Sequence, residues 1–118
     1  LLRSHEFSHL HRIDADEMWH FYAGSSLTVH MIDDAGNYSA LHIGDDPQDG
    51  ETFQAVVPAG VWFGATVDRP DAYALVGCTV APGFEFSKFE MAERGAALDA
   101  FPNHANIITR LTSSKFPP

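Results

Sequence analysis

The chain has 118 residues, 45% hydrophobic and 12% aromatic, which is one domain's worth of ordinary globular sequence and excludes disorder as its main state. Seven basic against sixteen acidic residues give a formal charge of −9, which excludes a nucleic-acid partner, because phosphates need a basic surface. No apolar run reaches the length of a membrane span and no secretory leader pattern is visible. A single cysteine, Cys78, cannot form an internal disulfide, so a reducing, cytoplasmic setting is expected.

Residues 1–86 read as short β segments separated by turn signals, the rhythm of an all-β sandwich or barrel. No strand is expected before the His-rich segment 9–13, which leaves a sheet edge open at the start. In that segment His9, His11 and Ile13 share one face by simple alternation. After the Asp14-Ala15-Asp16 turn, residues 17–22 put Glu17, Trp19 and Phe21 on one face and Met18, His20 and Tyr22 on the other. Strands follow at 27–32 and 38–43, joined by the hairpin loop Asp33-Asp34-Ala35-Gly36-Asn37. A polar loop, 44–50, leads to an apolar strand at 53–57 that ends at Pro58-Ala59-Gly60. Segments 61–67 and 73–80 are expected to pair across the turn at 68–71.

The tail changes character. Met91, Leu98, Phe101, Ile107, Ile108 and Leu111 recur at helical spacing, so residues 89–111 read as helical. Gly95 weakens the first helix, Pro102 ends it, and Asn103 is the expected cap of the second. The last residues, 115–118, are expected to fray.

Three features bear on chemistry. His9-x-His11 followed by Glu17 supplies two imidazoles and a carboxylate. That trio suits a divalent metal with open positions, or metal-free acid–base work. Two half-exposed histidines beside a solvated carboxylate is the plainer alternative. Pro58-Ala59-Gly60-Val61-Trp62-Phe63-Gly64 is a tight turn leading into an aromatic pair that lines either a pocket or the core. Residues 81–90 place Phe84, Phe86 and Phe89 around Glu85 and Glu90, a loop that packs down while presenting the Glu85 carboxylate. Cys78, in an apolar strand, reads as an inert small hydrophobe.

His9-x-His11, Glu17, six intervening residues and Gly24 resemble the first motif of the cupin superfamily, with the gap before Glu17 a residue or two longer than usual. Pro58-x-Gly60 resembles the second motif, with Phe63 at the place of that motif's histidine. The segments SHLHRIDADEMWHFYAG, QAVVPAGVWFGA, ALVGCTVAPGFEFSKFEMA and FPNHANIITRLT resemble the fifth cupin family, a domain of unknown function. The resemblance implies a cupin-type double-stranded β-helix, a jelly-roll barrel with a short C-terminal helical segment. It implies one domain over 1–118 that lacks the family's N-terminal strands. It also implies a homodimer, and a central pocket faced by His9, His11, Glu17, Trp19, Gln54 and Phe63. The fourth cupin metal ligand falls on Phe63, which has no donor, so a divalent metal would rest on three ligands.

An aromatic-lined pocket with few polar groups fits a small organic ligand such as a nucleotide, a sugar nucleotide or a related ring compound. Epimerase-like chemistry is the first expectation, with His11 as base, Glu17 as its orienter and Tyr22 or Tyr73 as acid. In it Trp19 and Phe63 stack on the ring, and Gln54, His9, Tyr73 and Glu85 complete the pocket. A binding module without turnover and a metal-dependent dioxygenase or hydrolase are the rivals.

Overall fold

Period-two alternation of apolar and polar residues builds most of this structure, a computed structural model that describes residues 1–83 and 85–113. Phe84 and the 115–118 tail of the sequence reading lie outside the described residues. Among the described residues nine strands form: β1 (Leu2–Arg3), β2 (Phe7–Ile13), β3 (Asp16–Gly24), β4 (Leu27–Ile32), β5 (Tyr38–Ile43), β6 (Gln54–Val57), β7 (Trp62–Val67), β8 (Tyr73–Ala81) and β9 (Phe89–Met91). Two short helices follow, α1 (Arg94–Ala100) and α2 (Ala105–Arg110).

The strands form two antiparallel sheets, ordered β1-β8-β3-β6 and β5-β4-β7-β2-β9. Their inner faces close on a core that includes Ile13, Trp19, Phe21, Leu27, Val29 and Phe63. A second cluster lies on the outer face of the five-stranded sheet, where Leu10 and Ile32 meet Ala97, Ile108 and Leu111 of the helical tail. Above it the Arg12 guanidinium lies 4.4 Å from the Trp62 ring centre and pairs with Glu90. Among the described residues no helix is long and apolar enough to cross a membrane.

Several expectations change here. Segments 61–67 and 73–80 do not pair. β7 lies between β2 and β4, and β8 lies between β1 and β3 in the other sheet, so the 68–71 turn crosses between layers. A short leading strand exists, with Leu2 opposite Ala74 and Arg3 opposite Tyr73. The helical reading from residue 89 starts too early. Residues 89–91 pair with β2, and α1 begins only after Glu93, whose carboxylate accepts from the Gly95 and Ala96 amides. Asn103 does not cap α2: it lies within a turn of 3-10 helix, and His104 occupies the cap position, its ring bonded to the Gly36 carbonyl and not to the helix amides.

Gly24 closes β3 with φ of 91°, and a Cβ there would collide with the Tyr73 carbonyl oxygen. The backbone at this position therefore requires glycine. In the other sheet, Gly64 lets the Ser8 carbonyl approach β7 where the β2 register shifts between Ser8 and His11. That irregularity decides where the two histidines go.

Candidate functional site

Inner-face positions of β3 carry Glu17, Trp19 and Phe21, as the alternation predicts. Cross-strand pairing sets Trp19 opposite Cys78, and Glu17 opposite Val80 on β8 and Val57 on β6. Cys78 is thus a diagonal neighbour of Glu17 on the inner wall. From the other sheet His11 stands opposite Phe63. The His11 ring lies 4.2 Å from the ring of Phe63 and 5.3 Å from that of Phe89, centre to centre. Phe63 in turn meets Trp19 edge-on at 6.4 Å. Phe63 and Trp19 therefore link the His11 wall to the Glu17 wall through aromatic contact.

His11 is held by its own strand. Its Nδ1–H donates to the His9 carbonyl at 2.6 Å. A carbonyl oxygen only accepts, so the neutral ring carries its proton on Nδ1 and a lone pair on Nε2. Burial pushes the His11 pKa below the ordinary histidine value; the His9 carbonyl opposes that shift and the His9 ring adds to it. The orienter of this imidazole is thus a backbone carbonyl and not Glu17.

Burial raises the Glu17 pKa above the usual carboxylate range, and contacts with Trp19 and Cys78 pull it partway back. The buried Trp19 indole N–H meets no acceptor at hydrogen-bonding distance and angle; Glu17 is the group whose acidity it strengthens. Cys78 is a free cysteine with an exposed side chain. Its thiol is pushed up to about 12, chiefly by burial, then by the Glu17 charge and the hydrogen bond to Glu17. At neutral pH it is therefore a protonated thiol, and not a nucleophile. Sequence reading set Cys78 aside. The available signal was its place between Val76 and Val80 in a β8 that alternates inward and outward residues.

Other expected site residues stand elsewhere. His9 does not converge with His11, because the irregularity in β2 lies between Ser8 and His11; its Nε2–H donates to the Ala92 carbonyl at 3.0 Å. Gln54 does not face the interior: it pairs with His20 on the outer face and lies 3.4 Å from His20 Nδ1. Tyr73 and Tyr22 are both exposed, Tyr73 beside β1 and Tyr22 packed over Gly77 outside the barrel. Neither phenol enters as an acid. Glu85 is exposed at the barrel rim, 3.9 Å from Lys88, beside a narrow recess that includes Ile13 and Val80.

These positions also answer the metal question. Among the described residues no three His, Cys, Asp or Glu side chains are placed to hold a metal ion. His9 is turned toward Ala92, and Phe63 offers no ligand atom, so the His9, His11 and Glu17 set does not fit a three-ligand centre.

Two antiparallel sheets closed on an interior that carries His11 and Glu17 of the motif define a jelly-roll barrel of the cupin class. The chain belongs to the cupin family described as Cupin superfamily (DUF985), whose family model matches residues 1–92. A solved structure of protein SO0799 from Shewanella oneidensis is similar, with 40% identity and a TM-score of 0.90 over 96% of this chain and 71% of that one. A hypothetical protein from Leishmania major is similar at 28% identity and a TM-score of 0.89, over 96% of this chain and 73% of that one. Oxalate decarboxylase from Bacillus subtilis shares the fold alone, at 15% identity and a TM-score of 0.55, over 92% of this chain and 28% of that one. No curated protein matches significantly.

Proposed function

We propose that the barrel interior binds a small polar ring compound, the class to which nucleotides and sugar nucleotides contribute their rings, with His11 as proton acceptor. The observation that carries this reading is the locked His11 tautomer. Its Nε2 lone pair lies on an aromatic wall, and the opposite wall holds the half-buried Glu17. A neutral imidazole whose pKa is lowered by burial is unprotonated at pH 7 and competent as a general base. Binding without turnover is the second reading, favoured by the outward placement of Tyr22 and Tyr73, which leaves Glu17 as the candidate acid among the described residues.

A thermal-shift screen of nucleosides, nucleotides and sugar nucleotides tests the site. A ligand at a hundred times its Kd is expected to add about 2.7 kcal/mol of stability. His11→Ala should lose that gain, and His9→Ala, changed at a ring turned toward Ala92, should keep most of it. A hit that stabilises the His11→Ala variant fully would move binding out of the barrel. Deuterium uptake from solvent into the recovered ligand separates proton transfer from simple binding.

The same proposal includes a second copy of the chain. Tyr22, Tyr73, Val56 and Leu75 are 64%, 46%, 43% and 40% exposed on the outer face of the four-stranded sheet. Such a patch is the kind of surface that a homodimer covers. Light scattering should give twice the chain mass, and Val56→Asp should shift it toward the monomer. A natural chain that stays monomeric at high concentration removes the dimer.

A further inference from the structure

The inner wall carries no lysine or arginine among the described residues. The chain's cations are engaged or placed elsewhere: Arg12 with Trp62 and Glu90, Arg94 with the Thr109 and Thr112 carbonyls, and Lys88 with Glu85. Arg3 lies on β1, Arg69 in the exposed turn after β7, and Arg110 is exposed on α2; Lys115 lies outside the described residues. An anionic group drawn into the barrel would therefore meet a carboxylate and no counter-charge, and burying an unpaired charge is strongly unfavourable.

Hydrogen-bonding polarity points the same way. His11 Nε2 is a lone pair because Nδ1–H is used by the His9 carbonyl. Glu17 is an acceptor when ionised. The Cys78 thiol lies diagonal to Glu17 on the neighbouring strand, and the Trp19 N–H is sealed from solvent. What these side chains offer an incoming molecule is a pair of acceptors between aromatic faces. Such a set rewards a donor, and a positively charged donor most, since Phe63 and Phe89 present rings beside it.

Resting on the proposed interior site, we infer that its ligand is a ring compound bearing a protonated amine and no phosphate, with the ammonium directed at Glu17 and a ring hydroxyl or N–H at His11 Nε2. The desolvated carboxylate regains a partner on binding. The phosphate of any nucleotide-like molecule would be left outside the barrel.

The test uses glucosamine, glucose and a glucose phosphate ester, which share a ring and differ in charge. Binding is followed by NMR at the indole N–H of Trp19, and Trp62 on the outer face serves as the internal control. Glucosamine is expected to move the Trp19 signal and to bind about tenfold tighter than glucose, the difference one charge-assisted hydrogen bond makes. The phosphate ester is expected to bind more weakly than glucose. Glu17→Gln should erase the amine advantage, so that glucosamine and glucose bind this variant with equal affinity. If the ester binds as tightly as the amine, or the advantage survives Glu17→Gln, the charge inference is overturned while a moving Trp19 signal still supports interior binding. If none of the three moves Trp19 or the His11 ring, both readings are overturned. Should Glu17→Gln not fold, the ranking of the three ligands on the natural chain decides.

Discussion

Replacing Phe63 with alanine is expected to lower the unfolding free energy by about 3–5 kcal/mol, a large part of the about 5–15 kcal/mol available to a domain. Phe63 is 1% exposed and among the largest fully buried side chains. It stands on β7, in the middle of the five-stranded sheet, opposite His11 on one side and Met31 on the other. Its ring meets His11 in front and the edge of Trp19 across the barrel. Removing it opens a void between the two sheets and frees the walls that carry His11 and Glu17. Phe63→Leu, which keeps most of the volume, should cost less than about 1.5 kcal/mol. Urea midpoints with unchanged m-values are the readout. An alanine variant as stable as the leucine variant would show that this position is not packed.

Acidification is expected to destabilise the fold through His30, by about 3 kcal/mol between pH 6.5 and pH 4. The side chain is 8% exposed, with Nδ1 at 2.7 Å from the Tyr38 hydroxyl and Nε2 at 2.9 Å from Thr66 Oγ1. Burial, with the Arg110 charge second, lowers its pKa from 6.5 to about 4. The unfolded chain takes up this proton first, so between those two pH values the unfolded state holds more protons. Stability is therefore fully present above about 6.5 and falls as pH drops toward 4, where the folded state begins to protonate as well. His11, with a pKa also lowered by burial, acts in the same direction. His30→Gln should flatten most of the slope, measured as the urea midpoint at pH 7 against pH 4.5. An unchanged slope would place the acid sensitivity elsewhere.

Local alternation was legible in the sequence wherever the backbone stays regular. Glu17, Trp19 and Phe21 share the inner wall because β3 keeps its period of two through those residues. The same rule fails for His9 and His11, because an irregularity in β2 changes which way a ring points and leaves no trace in residue type. Pairing between layers was hidden for a different reason. Neighbouring segments usually pair, but the 68–71 turn carries the chain from one sheet to the other. β9 was too short to outweigh the helical spacing of Met91. The interior role of Cys78 depends on its diagonal relation to Glu17, which only cross-strand register reveals.

The tether on His11 has a stereochemical consequence. A ring tied to the backbone through Nδ1 exchanges protons through a single atom, so a proton it removes from one side of a carbon returns to that same side. Under the proposed proton transfer, inverting that carbon would require a second group on the far side, and the side chain carried there by the opposite sheet is Glu17. The spacing between two β layers, and not the reach of one flexible side chain, would then set which handedness emerges.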